Sequence, residues 1–305
     1  MRKFVYILLT LFLLCLIGGG IYAYQLFQSF TQTTEAIYEP LDRGDYSSKR
    51  EQKPNIEDAE QADPISVLLL GVDERDGDRG RSDTIMVMTI NPQKETSHLL
   101  SIPRDTMTEI VGRGTQDKIN HAYAFGGIDM AIDTVEQFLD IPIDYFAKVN
   151  MEGLVAIVDL LGGITVEVEQ SFTQDGIQFN PGEMEMDGQT ALAYSRMRKQ
   201  DPRGDFGRND RQQQVVRSLL DEAISVQSLW KVDDIFEAME QHVRTNQTRK
   251  DIDNMRKHYL KATRNIEKIA ISGSGQTINN IYYYIVDEDE RQRISSILRE
   301  HLELN

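Results

Sequence analysis

Cysteine is nearly absent from this chain, and positive charge is scarce relative to negative charge. The only cysteine, Cys15, excludes a disulfide within one chain, so stability must come from a packed core. The 33 lysines and arginines face 49 aspartates and glutamates, which gives a formal net charge of -16. Nucleic-acid-binding domains carry a basic footprint, so this acid excess argues against direct DNA binding. A Gly-x-Ser-x-Gly turn is also missing, which leaves no familiar nucleophile signature.

A long apolar run occurs once, at the amino terminus. Residues 4–24 carry no charge, and about 20 apolar residues are enough to span a bilayer. We predict an uncleaved signal-anchor over 4–28, because a cleaved signal peptide has a shorter apolar core. Arg2 and Lys3 precede the run, which places residues 1–3 in the cytoplasm and the rest of the chain outside. The prediction is a single-pass type II protein of the cell membrane with an extracytoplasmic function.

Composition divides the remainder into two parts. Residues 29–64 are polar and lack sustained periodicity, so we predict an extracytoplasmic stalk. Residues 65–305 contain no second linker and no internal repeat, and we predict one catalytic domain.

The period of the apolar residues predicts an α/β domain with a mixed central sheet flanked by helices. Branched apolar runs predict strands, and residues 91–94, which include Pro92, predict a hairpin turn that makes one pair antiparallel. Asn150 is a plausible N-cap, and Asp287 with Glu290 forms a capping-box pattern. The predicted strands cover 65–70, 84–90, 96–102, 164–168 and 281–286, and the predicted helices cover 122–139, 150–162, a segment from about 208, the charged region 228–262 and a segment from 287.

A cationic cluster at 196–211 is unexpected in so acidic a protein. Six lysines and arginines alternate there with three aspartates. Guanidinium groups stay charged and match phosphate oxygens two at a time, so we predict a compact, strongly anionic ligand. Arg208, Arg211 and Gln212 share adjoining faces of a first helical turn and are predicted to contact it. The alternative is a solvated loop with a wetted helix face.

The segment 71–83 joins two predicted strands and carries five carboxylates. Asp73 follows one strand and Asp83 precedes the next, so the two carboxylates converge if the strands are neighbours. Such a pair suits Mg²⁺ (or Mn²⁺) bound together with phosphate oxygens. The alternative is an exposed polar loop.

Two further polar groups lie beside predicted element ends. Pro103 ends a strand, so Arg104 and Asp105 project from its end. Lys118 and Asn120 precede a predicted helix, whose amino terminus attracts anions. We predict that they contact the same anion. The alternatives are a surface ion pair for Arg104 with Asp105, and an N-cap role for Asn120.

Together, six ordered motifs resemble the LytR-CpsA-Psr family. The match is closest to members that transfer wall teichoic acid in Gram-positive rods, and residues 282–287 resemble the family's closing strand. The motifs lie at 69–75, 81–84, 101–105, 118–122, 192–198 and 205–213.

The resemblance implies an enzyme that takes an anionic polymer from a polyisoprenyl pyrophosphate carrier. The polymer, wall teichoic acid by this resemblance, is attached by a phosphodiester to the 6-hydroxyl of N-acetylmuramic acid in peptidoglycan. The family's Mg²⁺ carboxylates fall on Asp73 and Asp83, and its isoprenoid tunnel has no distinct signature in this sequence. The family's pyrophosphate clamp falls on Arg81, Arg104, Arg196, Arg198 and Arg208, with Gln212 beside them.

We predict Arg81, Asp83, Arg104 and Asp105 as catalytic residues. Asp105 and Asp205 are both candidates for the base that accepts the hydroxyl proton. A noncatalytic adaptor for lipid pyrophosphates or glycans, and a lipid pyrophosphate hydrolase, remain alternatives. The identity of the polymer, the oligomeric state and the role of 228–262, as a lid, a docking surface or solvated helices, are not determined by the sequence.

Overall fold

A six-stranded mixed sheet forms the centre of the protein. The computed structural model describes residues 28–44, 46–74, 80–223 and 232–304. The strand order is β11-β6-β1-β2-β3-β12, with β1 antiparallel to β2 and parallel to β6. The pairs β2–β3 and β6–β11 are antiparallel, whereas β3–β12 is parallel. The strands are β1 (Ile65–Val72), β2 (Ser82–Asn91), β3 (Thr96–Ser101), β6 (Tyr145–Asn150), β11 (Val243–Thr245) and β12 (Ile266–Ile269).

Four two-stranded hairpins or ladders surround this sheet, and the sequence predicted only two of their strands. The strand predicted at 281–286 is present, but the strand at Ser274–Ile278 with which it pairs was not predicted. Short strands of this kind carry too few residues for a clear period. The ladders are β4 (Met107–Ile110) with β5 (Thr115–Lys118), β7 (Ile164–Val168) with β10 (Gly182–Met186), β8 (Phe172–Gln174) with β9 (Ile177–Phe179), and β13 (Ser274–Ile278) with β14 (Ile281–Ile285).

Helices cover both faces of the sheet. The side chain of Asn150 accepts a bond from Gly153 N, as predicted, and Gly162 ends that helix at φ 95°. Asp287 accepts from Glu290 N at the start of the last helix. The helices are α1 (28–36), α2 (His121–Leu139), α3 (Met151–Leu161), α4 (Gly188–Arg196), α5 (Asp205–Ala223), α6 (Val232–His242), α7 (Arg249–His258) and α8 (Glu288–His301).

The core lies on both faces of the sheet, because successive side chains of β1 and of β2 are buried on opposite faces. On one face Leu68 and Leu100 pack with Ile132 of α2 and Leu298 of α8. On the other face Met86 packs with neighbours that include Tyr259. The mixed sheet between helices confirms the predicted fold class.

The stalk predicted for 29–64 is instead packed on the domain. Ile37 and Ile56 are 1% and 3% exposed, and Arg50 donates to both carboxylate oxygens of Asp144 at 2.6 and 2.7 Å. Thr245 exchanges backbone hydrogen bonds with residues 37 and 39. The low apolar content of the segment concealed these few long-range contacts.

The predicted signal-anchor at 4–28 lies outside the described residues except for its last residue. None of the described helices combines the length and the apolar character needed to cross a bilayer. The charged region 228–262 contains α6 and α7, as expected, but also the edge strand β11 between them.

Candidate functional site: an arginine-lined anion pocket

The connectivity of three strands brings the predicted residues to one edge of the sheet. Because β1 is antiparallel to β2, and β2 to β3, β1 and β3 end at the edge where β2 begins. Asp73, Asp83 and Arg104 therefore lie near one another, although they are distant in sequence. Asp73 N donates to Arg81 O at 3.2 Å, which extends the pairing beyond β1.

Arg104 is the central cation of this edge. Its Nη1 donates to Asp83 Oδ1 at 2.7 Å, and its Nε lies 3.9 Å from Asp105 Oδ2. Burial lowers the pKa of Arg104, but the carboxylates of Asp83, Asp105 and Asp205 outweigh it and hold the pKa above its usual value. Arg104 therefore stays fully charged.

A small pocket opens beside Arg104 where the chain enters α2. Lys118 Nζ donates to Asp105 Oδ1 at 2.6 Å. Asn120 occupies the N-cap position of α2 but makes no side-chain cap hydrogen bond, and its buried Oδ1 has no hydrogen-bond partner. The pocket measures about 130 Å³ and is lined by Arg81, Arg104, Asp105, Lys118, Asn120 and His121.

A larger pocket lies on the other side of Arg104. It measures about 550 Å³, and five of its six lining residues are cations. Arg104 lines both pockets, so the two cavities share this residue as part of their walls. The lining residues are Arg104, Gln174, Arg196, Arg198, Lys199 and Arg208.

Arg208 is the buried cation of this pocket. It is 6% exposed, and its Nε and Nη2 have no hydrogen-bond partner. Its nearest carboxylate oxygen is Asp205 Oδ1, at 3.6 Å from Nη1. Burial lowers the pKa of Arg208, and the Arg104 guanidinium lowers it further. Each buried donor without a hydrogen-bond partner costs about 1–3 kcal/mol. An anionic ligand that accepts from these donors would remove that cost, so the position suits such a ligand.

Two carboxylates, Asp105 and Asp205, lie among the cations of these pockets. Asp205 Oδ1 lies 3.1 Å from Arg198 Nε. Burial raises the pKa of Asp105, yet the hydrogen bond from Lys118 and the charge of Arg104 hold that pKa below its usual value. Asp105 is therefore ionised at neutral pH and available to accept a proton.

A third pocket continues from the second. It measures about 630 Å³, and Arg196 lines both. Its wall includes Asp73 and Glu74 from the end of β1 and the first turn of α3. Asp73 is thus joined to the arginine cluster through a continuous row of cavities.

The structure places two predicted ligands elsewhere. Arg211 is 3% exposed; its Nη1 donates to Asp201 Oδ2 and its Nη2 to Met197 O, both at 2.6 Å. Its guanidinium holds the turn after α4 together, and it lines neither anion pocket. Gln212 is partly buried on α5 and is absent from the lining of both pockets.

Sequence reasoning missed two residues beside the site. Gln174 comes from the short ladder β8–β9, and Tyr282 comes from β14. Neither has a local signal, because each reaches the site through tertiary packing of a small hairpin.

Asp73 and Asp83 suit Mg²⁺ by their chemistry. Mg²⁺ takes one or two carboxylates and completes its shell with water and phosphate oxygens. Both aspartates lie at the sheet edge beside the anion pockets, and the Asp83 side chain is 29% exposed. Within 28–44, 46–74, 80–223 and 232–304, no three or more His, Cys, Asp or Glu residues are grouped to hold a metal. A two-carboxylate site that shares phosphate ligands is the arrangement these residues permit.

Comparisons with known proteins agree with the geometry. The LytR_cpsA_psr family model matches residues 24–300. A "Polyisoprenyl-teichoic acid--peptidoglycan teichoic acid transferase TagU" from Bacillus subtilis (strain 168) is 47% identical over 296 residues, 97% of this chain and 95% of the relative. The crystal structure of B. subtilis TagU is 46% identical, with a TM-score of 0.65, over 80% of this chain and 98% of that chain. The structure of "LytR-CPS2A-psr family protein YwtF (TagT) with bound octaprenyl pyrophosphate lipid" is 29% identical, with a TM-score of 0.71, over 88% and 100%.

Proposed function

This chain belongs to the LytR_cpsA_psr family, and from that premise we propose that it transfers an anionic wall polymer from a polyisoprenyl pyrophosphate carrier to peptidoglycan. The TagU relative carries this activity in its name, and a related structure holds octaprenyl pyrophosphate. The polymer we propose is wall teichoic acid, and the acceptor is the 6-hydroxyl of N-acetylmuramic acid.

The observation that carries the proposal is the buried guanidinium of Arg208. Two of its nitrogens have no partner, and it lies in a pocket with three other arginines and a lysine. Like charges at such density are unfavourable unless an anion neutralises them. A pyrophosphate with several negative oxygens meets that requirement, and bidentate guanidinium contacts orient it.

The reaction requires one bond to form and one to break at phosphorus. The acceptor hydroxyl oxygen forms a new bond to the phosphorus that carries the polymer. The bond from that phosphorus to the bridging oxygen breaks, and polyisoprenyl monophosphate leaves. Arg104 and Arg208 stabilise the charge that develops on the phosphoryl oxygens, which is the main protein contribution in phosphoryl transfer.

The hydroxyl proton passes to Asp105 or Asp205, the two carboxylates that lie among the cations of the pockets. Asp105 is held ionised by Lys118 and Arg104, and Asp205 lies beside Arg198. Both are within the site where the acceptor must approach the pyrophosphate. Comparison of Asp105→Asn with Asp205→Asn identifies the base, because loss of the base lowers kcat while donor binding is retained.

Asp73 and Asp83 are the residues we propose to hold Mg²⁺. The bound ion would neutralise charge on the pyrophosphate oxygens. We thus assign binding of the donor pyrophosphate to the arginines and binding of the metal to the two aspartates.

We also propose that the uncharged run at 4–24 anchors the protein in the cell membrane with the domain outside. Arg2 and Lys3 support this orientation. Accessibility of residues 65–305 to protease added outside intact cells tests it.

The test of the function is transfer by the full chain in detergent. The assay contains radiolabelled lipid-linked polymer precursor and muramic-acid-containing glycan oligomers, with and without Mg²⁺. Label in the glycan supports the transferase. Release of soluble labelled polymer without glycan labelling would indicate a hydrolase, and binding without any turnover would indicate an adaptor.

A further inference from the structure

The hairpin β13–β14 is attached directly to the candidate base. Tyr284 N donates to Asp105 O at 2.9 Å, and Thr106 and Tyr284 form a parallel bridge. The backbone of the hairpin is therefore fixed relative to Asp105, although about 180 residues separate them in sequence.

Glycine on β13 positions an aromatic ring on β14. A Cβ at Gly275 would stand 2.8 Å from both Cε2 and Oη of Tyr282, so this ring lies across the glycine backbone. The same arrangement recurs for Gly273, where a Cβ would stand 2.7 Å from Cζ of Tyr284. Each glycine thus covers part of one ring without a side chain of its own.

The remaining surface of Tyr282 faces solvent beside the site. Tyr282 is 48% exposed, so about half of its surface is open to a ligand. Burial raises the pKa of its phenol, and the Asp205 and Asp105 carboxylates raise it further, whereas Arg198 lowers it. These three charged groups therefore lie within electrostatic range of the ring.

A second exposed aromatic ring continues the same surface. Phe206 is 40% exposed and meets Tyr284 edge to face at 5.1 Å between centroids. It follows Asp205 in the first turn of α5, so its backbone adjoins the residue that carries this carboxylate. Tyr282 and Phe206, the aromatic rim, thus border the carboxylate side of the anion pocket.

We propose that the aromatic rim binds a hexosamine ring of the glycan acceptor. A hexopyranose presents an apolar C–H face, which stacks on an aromatic ring, and a polar edge, which Asp105 and Asp205 would meet as hydrogen-bond acceptors. The anionic donor polymer is repelled by these carboxylates and is drawn to the cations around Lys199. The acceptor hydroxyl, in contrast, must reach a carboxylate to lose its proton. This inference rests on the proposed transferase function and assigns its acceptor subsite.

The test compares single variants of the full chain in the transfer assay, with donor and acceptor concentrations varied separately. Tyr282→Ala is expected to raise the acceptor KM about five- to tenfold, within the range of a lost aromatic contact. The donor KM is expected to stay within about twofold. Tyr282→Phe keeps the ring and should retain the acceptor KM of the unchanged protein.

Two further variants separate stacking from a general effect on the hairpin. Ile281→Ala removes a neighbouring side chain that is 47% exposed and points to the opposite face of β14, and it should leave both KM values unchanged. Gly275→Ala keeps Tyr282 but displaces its ring, and it should raise the acceptor KM. Saturation-transfer NMR with the glycan oligomer alone should show contact that Tyr282→Ala removes.

Failure of the proposed function and failure of the proposed acceptor subsite give different results. Absence of phosphodiester product from the unchanged protein contradicts the proposed function. Normal transfer, combined with an unchanged acceptor KM in Tyr282→Ala or with a raised donor KM instead, overturns the acceptor subsite.

Discussion

Arg104 donates a hydrogen bond of 2.7 Å from Nη1 to Asp83 Oδ1. This contact joins a residue of the proposed pyrophosphate clamp to a residue of the proposed Mg²⁺ site. The pair lies where β2 begins and β3 has just ended, so the antiparallel register positions both groups. The proposed metal site and the proposed phosphate site would therefore adjoin through this hydrogen bond.

Asp83→Asn is expected to abolish polymer transfer and to weaken divalent-ion binding. The amide keeps the shape of the side chain but removes the charge that a hard cation requires. Titration with Mn²⁺ monitored by electron paramagnetic resonance measures the metal step independently of turnover. Lipid pyrophosphate binding without metal should change less than about threefold, since the arginines remain. Unchanged transfer would contradict the metal role of Asp83.

Arg208→Met is expected to lower affinity for lipid pyrophosphate about 10- to 100-fold. That loss corresponds to the removal of charge-assisted hydrogen bonds, about 1.5–3 kcal/mol. The melting temperature should hold or rise, because the buried donors of Arg208 have no partner. The control is Arg203→Met, which removes an arginine of the same cluster that is paired with Asp201 and Asp210 instead. A fall in melting temperature with unchanged affinity would assign Arg208 a structural role.

Arg211→Ala is expected to reduce stability by about 3–5 kcal/mol, the usual cost of breaking a buried ion pair. It leaves the Asp201 carboxylate, which has no exposed side-chain surface, without its main partner. Burial raises the pKa of Asp201, but Arg211 and Arg203 bring it down to about 2. The stability that this pair contributes is therefore present above about pH 3.9 and is lost as the pH falls toward 2. Urea unfolding measures the loss, and strongly impaired lipid binding in a fully folded variant would support the predicted contact of Arg211 with the anion.

His301 is expected to make the domain less stable as the pH falls from 6.5 toward 4. Burial, together with the neighbouring His98 and Lys94, lowers the pKa of His301 to about 4; the His98 ring stacks on it at 3.9 Å between centroids. The unfolded chain binds a proton below about pH 6.5 whereas the folded chain does not, so stability declines by up to about 3 kcal/mol. His301→Gln should flatten this decline in urea unfolding curves. His258→Gln removes a histidine elsewhere and should leave the decline unchanged. An equal decline of stability with pH in all three proteins would refute the role of His301.

A fragment that begins at residue 65 is expected to melt about 10 °C below a fragment that begins at residue 28. The shorter fragment loses the burial of Ile37 and Ile56, about 1.5–3 kcal/mol each, and the bond from Arg50 to Asp144. Calorimetry of both fragments measures the difference. Equal melting temperatures would support the stalk that composition predicts.

Local patterns predicted much of the fold and part of the site. The hairpin of β2 and β3 and the Asn150 N-cap follow from neighbouring residues and were found as expected. The proximity of Asp83 and Arg104 follows from the same hairpin, because an antiparallel turn brings the start of one strand beside the end of the next. The additional short ladders carried no comparable signal.

Arg208 and Arg211 illustrate the limit of such patterns. They lie three residues apart on one helix, and the sequence predicted that both contact the anion. The structure leaves Arg208 with unpaired donors in the pocket, whereas Asp201 takes Arg211 into the interior. Only the path of the turn after α4 separates their roles.

The sequence by itself determined the membrane-anchor prediction, the α/β class and the residue types that recognise phosphate, because these depend on composition and on short periods. Tertiary structure alone decided that residues 28–64 pack on the domain, that Arg211 pairs with Asp201 and that the hairpin carrying Tyr282 is bonded to Asp105. Each of those outcomes depends on contacts between segments far apart in the chain. Their energy is set by the complementarity of whole surfaces, which no local pattern of residues encodes.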